Sequence, residues 1–343
     1  MTVSVSRRDV AIVGAGPAGM AAAIAAKQHG LSYVMLEKGA LVNSLLRFPT
    51  DMVFFTTPDL LEIGGLPLVS PHEKPTRHEA LKYYRRVADT YALDIRFEEP
   101  VTSISRGDRG GRGEELFVLK TSSRTGHETA YEARAVIIAS GAYDIPNAVG
   151  VPGEDLPHVS HFYKEPHPHY RQHVVIVGGK NSAAEAALDL YRNGVGSVTI
   201  VHRHAQLGDS IKYWVKPDIE NRFKEGSVKA RFESRVTEIG LRHVVVDGPG
   251  GRETLPADAV YLLTGYRSDT RLLTSLGAEV NEADFTPVLN PETFETTVPN
   301  LFVIGAAVAG KQSGKIFIEN GRFHGAVAIA AISSRVRSSR ATP

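Results

Sequence analysis

The chain contains no cysteine. That excludes disulfides, thiolate-held zinc, iron–sulfur clusters and thiol exchange through its own side chains. It has a single tryptophan, and no uninterrupted apolar run approaches the roughly 18 residues that a membrane span needs. Charge of one sign is missing too, since 39 Lys and Arg face 38 Asp and Glu for a net +1; neither a nucleic-acid footprint nor a polybasic membrane surface is expected. HExxH, GxSxG and EF-hand patterns are absent, so hydrolase chemistry lacks its nucleophile.

What is present is glycine, 32 in 343 residues, above the usual share of roughly 7%, and enough chain for two cores. Residues 9–13 form an apolar run, Gly14-Ala15-Gly16-Pro17-Ala18-Gly19 follows, and 20–29 is Ala-rich. This reads as strand, tight turn and helix. A second buried strand at 33–36 ends on Glu37, 23 residues beyond Gly14, which completes a βαβ unit. Ser6-Arg7-Arg8 before this stretch has the look of an export signal, but the ordered glycines give the segment a better explanation.

The plan recurs: 174–177 is apolar, Gly178-Gly179-Lys180-Asn181-Ser182-Ala183 follows, 184–193 suits a helix, and a strand at 198–201 ends on His202-Arg203. Each copy then has a polar, Gly-rich hairpin (106–115; 247–253) and an apolar strand running into a small-residue turn, Ser140-Gly141 or Thr264-Gly265. Copies 164 residues apart are too widely spaced for a solenoid and imply two related nucleotide-binding domains. A third glycine-bearing strand at 301–305 and a helix at 317–333 carry no fingerprint of their own and are expected to complete the first domain.

In such a turn the first glycine makes the bend, the second admits the pyrophosphate and the third lets helix and strand pack. Gly14, Gly16 and Gly19 fit those places. Free N–H groups at the helix start favour an anion, and Glu37 can accept both hydroxyls of an adenosine ribose. The second turn has Lys180 and Ala183 where glycines would stand, and basic His202-Arg203 where the first has its acid. An acid would repel a 2′-phosphate, whereas arginine offers a charged fork, so NADPH is favoured over NADH. One acidic and one basic ribose reader fit FAD and NADPH together, and so an oxidoreductase with hydride transfer between them.

Five histidines, His158, His161, His167, His169 and His173, are interrupted by prolines with no i, i+4 pair beside a carboxylate. They read as an interdomain linker, and no metal site is expected. Gly305 to Lys311 approaches a phosphate-loop spelling, but Gln312 stands in the place of the magnesium-binding hydroxyl.

These two fingerprints with a discontinuous first domain resemble the thioredoxin-reductase-like flavoproteins. Six segments, NSLLRFPTDMVFF from Asn43, EKPTRHEALKYYRRV from Glu73, GVPGEDLP from Gly150, GGKNSAAEAAL from Gly178, SIKYWVKPDIE from Ser210 and IFIENGRFHG from Ile316, resemble the YpdA-type bacillithiol-disulfide reductases. The resemblance implies an α/β fold with two Rossmann-like FAD/NAD(P)-binding domains (three-layer ββα) in the low-molecular-weight thioredoxin reductase-like arrangement. It implies an FAD domain at 1–146 plus 269–335, an NADPH domain at 147–268, a flexible tail at 336–343, a homodimer and a cytoplasmic location.

The FAD site then takes in Gly14, Gly16, Pro17, Ala18, Gly19 and Glu37, with Lys38, Ser44, Val101 and Gly141, and, from the third segment, Gly305, Ala306, Phe317 and Ile318. The NADPH site takes in Gly178, Gly179, Lys180, Asn181 and Ser182, with His202, Arg203, Lys212 and Gly265. The family's final helix points its start at the flavin, where Phe317, Ile318 and Glu319 would sit and the helix dipole would stabilise the reduced anion. Tyr143, Tyr266 and His324 are each candidates for the ring against the isoalloxazine.

Two departures shape the chemistry. Many YpdA-type enzymes carry a cysteine where this chain has Ala18, and thioredoxin reductases a Cys-x-x-Cys pair in the second domain. Neither is present, so no catalytic side chain is assigned and a disulfide would have to be reduced by flavin directly. The wider family's Gly-Asp pair is Gly305-Ala306 here, which implies a looser hold on FAD. The expected acceptor is a bacillithiol-like disulfide or a small redox protein, ferredoxin or flavodoxin. A non-catalytic sensor binding both cofactors is the third reading.

Overall fold

A computed structural model of the chain describes residues 5–107, 115–312 and 314–341. Strand β1 (Val5–Val13) has Val10, Ala11 and Ile12 wholly buried, as a strand covered on both faces requires. Proline at the first turn of α1 (Pro17–Gln28) supplies the preset φ and lacks only an N–H that would be unpaired there. The small side chains Ala22, Ala23 and Ala26 of α1 are all buried. Strand β2 (Tyr33–Leu36) pairs parallel to β1. Short helices α2 (Asn43–Arg47) and α3 (Pro58–Leu61) lead to α4 (Arg77–Thr90), which starts on a Thr76–Glu79 capping box. Its buried Tyr84 donates its hydroxyl to the Leu61 carbonyl at 2.9 Å, fixing α4 to α3.

Strands β3 (Ile95–Arg96), β4 (Val101–Arg106), β5 (Phe117–Ser122) and β6 (Glu128–Ile138) complete a sheet in the order β3-β2-β1-β6-β5-β4. The hairpin expected at 106–115 joins β4 to β5, and its residues 108–114 lie outside the described residues. β7 (Ile145–Pro146) marks the chain's exit from this unit.

The second unit comprises Arg47–Phe55 and Pro146–Gly265. Its parallel sheet has the order β11-β10-β9-β15-β8, built from β8 (Val159–Ser160), β9 (His173–Val177), β10 (Ser197–Val201), β11 (Lys229–Arg231) and β15 (Ala259–Leu262). Helices α5 (Asn181–Arg192) and α6 (Lys216–Glu225) cover it, with Ala184, Ala187 and Leu190 against Ile176 and Ile200. A separate antiparallel sheet, β12 (Arg235–Ile239), β13 (His243–Gly248) and β14 (Gly251–Pro256), carries the second expected hairpin. The five histidines belong to this unit's own fold rather than to a linker: β8 runs through them to pair with β15, and His169 Nε2 meets the Tyr261 hydroxyl at 2.6 Å.

From β16 (Tyr266–Arg267) and α7 (Arg271–Thr274) onward the chain belongs to the first unit, which comprises Met1–Leu46, Thr56–Ile145 and Tyr266–Pro343. β17 (Leu301–Val303) pairs with the last residues of β6 and β5 with its first half, so one edge of this eleven-residue strand serves two neighbours while β1 lies along the other.

The single helix expected over 317–333 is two, α8 (Ile318–Gly321) and α9 (His324–Ala341). The break has tertiary causes. Gly321 lies against Gly305, and Arg322 turns away to donate to the Asp59 and Glu62 carbonyls at 2.7 Å each. The tail expected at 336–343 is helical through Ala341, because Val336 is buried and Arg335 pairs with Glu295.

Helix α9 crosses α1 at Gly325, where a methyl group would meet the Ala22 nitrogen at 2.6 Å. Helix propensity alone would make Gly325→Ala stabilising by about 1 kcal/mol. The contact reverses the sign, and a loss of roughly 1–3 kcal/mol is expected from overpacking. Thermal or urea unfolding checks it; a stabilised variant would show that the two helices yield.

Candidate dinucleotide cradles

The turn between β1 and α1 is held by backbone packed on backbone. A methyl on Gly14 (φ +109°) would meet the Ala139 carbonyl oxygen at 2.5 Å, and one on Gly19 would strike the Gly14 carbonyl. Gly16 differs: a methyl there meets nothing within 4 Å, so the space over it is open. Pro17 and Ala18 open α1, whose first turn carries no acidic side chain. Its unpaired N–H groups leave a partial positive charge there.

Glu37 is buried at the end of β2, yet fully engaged. One carboxylate oxygen accepts the Ala15 N–H at 2.8 Å and the other the Gly39 N–H at 2.9 Å. Burial raises its pKa, opposed by those two hydrogen bonds. Each oxygen keeps a second lone pair for a hydroxyl donor. Lys38 pairs with Asp144 at 2.6 Å, and a cleft of about 470 Å³ lined by Lys38, Gly39, Ala40, Phe97, Pro100 and Arg124 opens beside this corner.

Ser44 lies near Gly141 (φ +74°), and Val101 packs at the edge of the sheet core. Ser140, noticed in the sequence only as part of a turn, has a buried hydroxyl with no hydrogen-bond partner among the described residues, and its backbone nitrogen abuts Gly14. An open turn, an anion-seeking helix start, a buried acid and an unpaired hydroxyl together fit a dinucleotide.

The third segment reaches the same turn. A methyl on Gly305 (φ +63°) would come 2.6 Å from the Ala18 side chain, and the Gly305 N–H donates to His324 Nδ1 at 3.3 Å. The His324 ring stacks on Phe294, with centroids 4.0 Å apart and planes 17° apart. Tyr143 and Tyr266 are 4.2 Å apart, centroid to centroid. Phe317 is exposed, and Ile318 opens α8. Ala306 offers its carbonyl to Ser268. Lys311 turns to the Ala283 carbonyl and over the Phe285 ring, not toward a phosphate loop.

The second turn shares the backbone logic. A methyl on Gly178 would meet the Leu263 carbonyl at 2.6 Å, and one on Gly179 would strike the His202 ring. Burial, with His204 and Arg203 close by, lowers the pKa of that ring. Arg203 is exposed and donates from Nε to His204 Nε2 at 3.2 Å, so a residue unmarked in the sequence orients the basic reader. Lys180 and Ser182 are exposed. Gly265 (φ +91°) lies beside Asn147.

Two expected ligands have other work. Asn181 accepts the Lys212 backbone N–H at 2.8 Å and donates to the Ser210 carbonyl at 2.9 Å, lacing the 208–212 loop to α5. Lys212 is buried, with its ammonium 2.7 Å from Glu185 and 3.2 Å from the Val53 carbonyl, and lies over the Trp214 ring.

The family model for pyridine nucleotide-disulphide oxidoreductases matches residues 11–305. Bacilliredoxin reductase Bdr of Bacillus subtilis (strain 168) is 39% identical over 326 residues, 94% of this chain and 97% of that one. The solved bacillithiol disulfide reductase Bdr (YpdA) from Bacillus cereus superposes with a TM-score of 0.92 at 35% identity, covering 96% of this chain and all of that one. A ferredoxin–NADP reductase of Ignicoccus hospitalis is 28% identical over 87% of this chain and 89% of its own length.

Lys212→Met is expected to cost about 2 kcal/mol, between the values for exposed and buried pairs, because it strands the Glu185 carboxylate. Urea unfolding measures it, and a change below about 0.5 kcal/mol would mean that the pair is idle.

Proposed function

The chain belongs to the pyridine nucleotide-disulphide oxidoreductase family, and from that membership we propose that it is an FAD-dependent, NADPH-oxidising reductase of a bacillithiol-like low-molecular-weight disulfide. The observation that carries the reading is the pairing of two strand–glycine turn–helix cradles with opposite ribose readers, buried Glu37 in one and exposed Arg203 in the other. Glu37 is suited to two ribose hydroxyls and Arg203 to a 2′-phosphate.

Bound together, FAD and NADPH supply the two-electron reducing chemistry that a chain without cysteine lacks. The chain's own part is to bind and orient. Gly16 leaves the pyrophosphate room, the α1 start offers N–H groups, and the cleft beside Glu37 and Lys38 suits the adenosine end. In the second cradle Arg203, steadied by His204, takes the phosphate that distinguishes NADPH. The disulfide class comes from the Bdr relatives, which are named for bacilliredoxin and bacillithiol disulfide. A homodimer in the cytoplasm belongs to the same reading.

A second reading, a ferredoxin or flavodoxin–NADP reductase, is favoured by the absence of cysteine and by the Ignicoccus relative. Anaerobic mixing separates the two. The NADPH-reduced protein is offered either bacillithiol disulfide or ferredoxin, and flavin reoxidation is followed. Fast reoxidation by the disulfide is expected; reoxidation by ferredoxin alone would reverse the order of the readings, and a flavin that NADPH does not bleach would overturn both.

Two variants test the cradles separately. Gly16→Val should fold normally, since its side chain enters open space, and emerge depleted of FAD; full occupancy would refute the first site. Arg203→Ala should raise the apparent KM for NADPH about tenfold or more with little change for NADH, through loss of a charge-assisted contact. Equal effects on both nucleotides would sink the 2′-phosphate assignment.

A further inference from the structure

His324 occupies a position that its packing alone does not explain. Its Nδ1 accepts the Gly305 N–H, so in that tautomer the ring's proton resides on Nε2. Burial lowers the imidazole pKa and favours this neutral form. Phe294 covers one face of the ring in a parallel stack, which fixes the ring plane. Nε2 makes no hydrogen bond among the described residues. His324 is half-buried and Nε2 is not shut away from solvent, so it is a donor held in place and open to a ligand.

The surroundings place the residue beside the first cradle. The Gly305 turn presses on Ala18 in the first turn of α1, and α9, which begins at His324, crosses α1 at Ala22. The imidazole is therefore anchored at the rim of the first cradle, alongside the N–H groups that start α1. Ala306 and Ile318, the neighbouring side chains of the third segment, are apolar. An oxygen-rich ligand on this side of the cradle would find its side-chain donor in His324.

We propose that His324 is a flavin-binding residue, donating Nε2–H to an oxygen on the diphosphate–ribityl segment of the dinucleotide. The proposal rests on the first cradle being the FAD site and adds a contact made by the edge of the ring, not by its face.

The test separates the two ring nitrogens. Full-length wild type, His324→Asn and His324→Gln are stripped of flavin, titrated with FAD by fluorescence quenching, and melted as apoproteins. Asparagine keeps an acceptor for the Gly305 N–H but has no donor at the Nε2 position. Its apoprotein should melt close to wild type, while its Kd for FAD rises about tenfold, the size of one lost hydrogen bond to a charged or strongly polar group. Glutamine places an amide N–H near the lost Nε2–H and should recover most of that affinity. FAD binding by His324→Asn at wild-type affinity, or a glutamine variant as weak as asparagine, would overturn the proposal while leaving the FAD site standing. A wild-type protein that takes up no FAD would overturn both.

Discussion

The first unit depends on backbone meeting backbone where no side chain fits. Gly19 lies on the Gly14 carbonyl, Gly14 on the Ala139 carbonyl, and Gly305 on Ala18. These contacts draw together four stretches of chain: the fingerprint, the end of β6, the third segment and, through Gly321, the end of α8. A single methyl at any of the first three points would push a strand or turn outward. The open space over Gly16 exists because its neighbours are pinned in this way. A cradle shaped by close backbone approach is rigid, and rigidity lets a helix start and a buried carboxylate act on a ligand without first being ordered.

The missing cysteines gain meaning against that frame. On the proposed function, a chain with no thiol of its own contributes to reduction by holding nucleotides and admitting an acceptor. Its polar investment accordingly lies in positioning. Glu37 is clamped by two backbone N–H groups, Arg203 is steadied by His204, and Lys212 and Asn181 secure the loop beside the second turn. On the proposed function, the residues around both turns work as scaffolding for a reaction whose electrons come from bound groups.

Local features of this protein could be read from its sequence because each has a short-range cause. The strand at 33–36, the glycine turns and the helix after the first of them follow from neighbours a few residues away, although α1 starts at Pro17, three residues before the Ala-rich stretch at 20–29. Tertiary features could not. Nothing near Lys212 announces that its charge is spent on Glu185, 27 positions earlier, and nothing near His324 points to Phe294. The break between α8 and α9 was equally hidden, since apolar and small residues run through it and its cause is Arg322 reaching α3. The histidine-rich segment looked like a linker because prolines interrupt it, while its order comes from a parallel pairing with β15 more than ninety residues away.

The two readers illustrate how one plan can be tuned by solvent. Glu37 is buried, and burial raises its pKa; its two backbone partners oppose that rise and favour the charge with which, in the proposed function, it accepts from a ribose. A phosphate reader placed in the same pocket would carry its charge into a corner already shaped to receive hydroxyls. Arg203, the 2′-phosphate reader of the proposed function, is exposed instead, so it would keep its hydration until a phosphate replaced it, and His204 limits the orientations it would give up. Hydroxyl recognition tolerates burial because the ligand groups are neutral, whereas dianion recognition favours the surface because two charged partners need not both be stripped of water. The opposite placement of the two readers, deep in one cradle and open in the other, thus follows from the chemistry of the groups they are suited to bind.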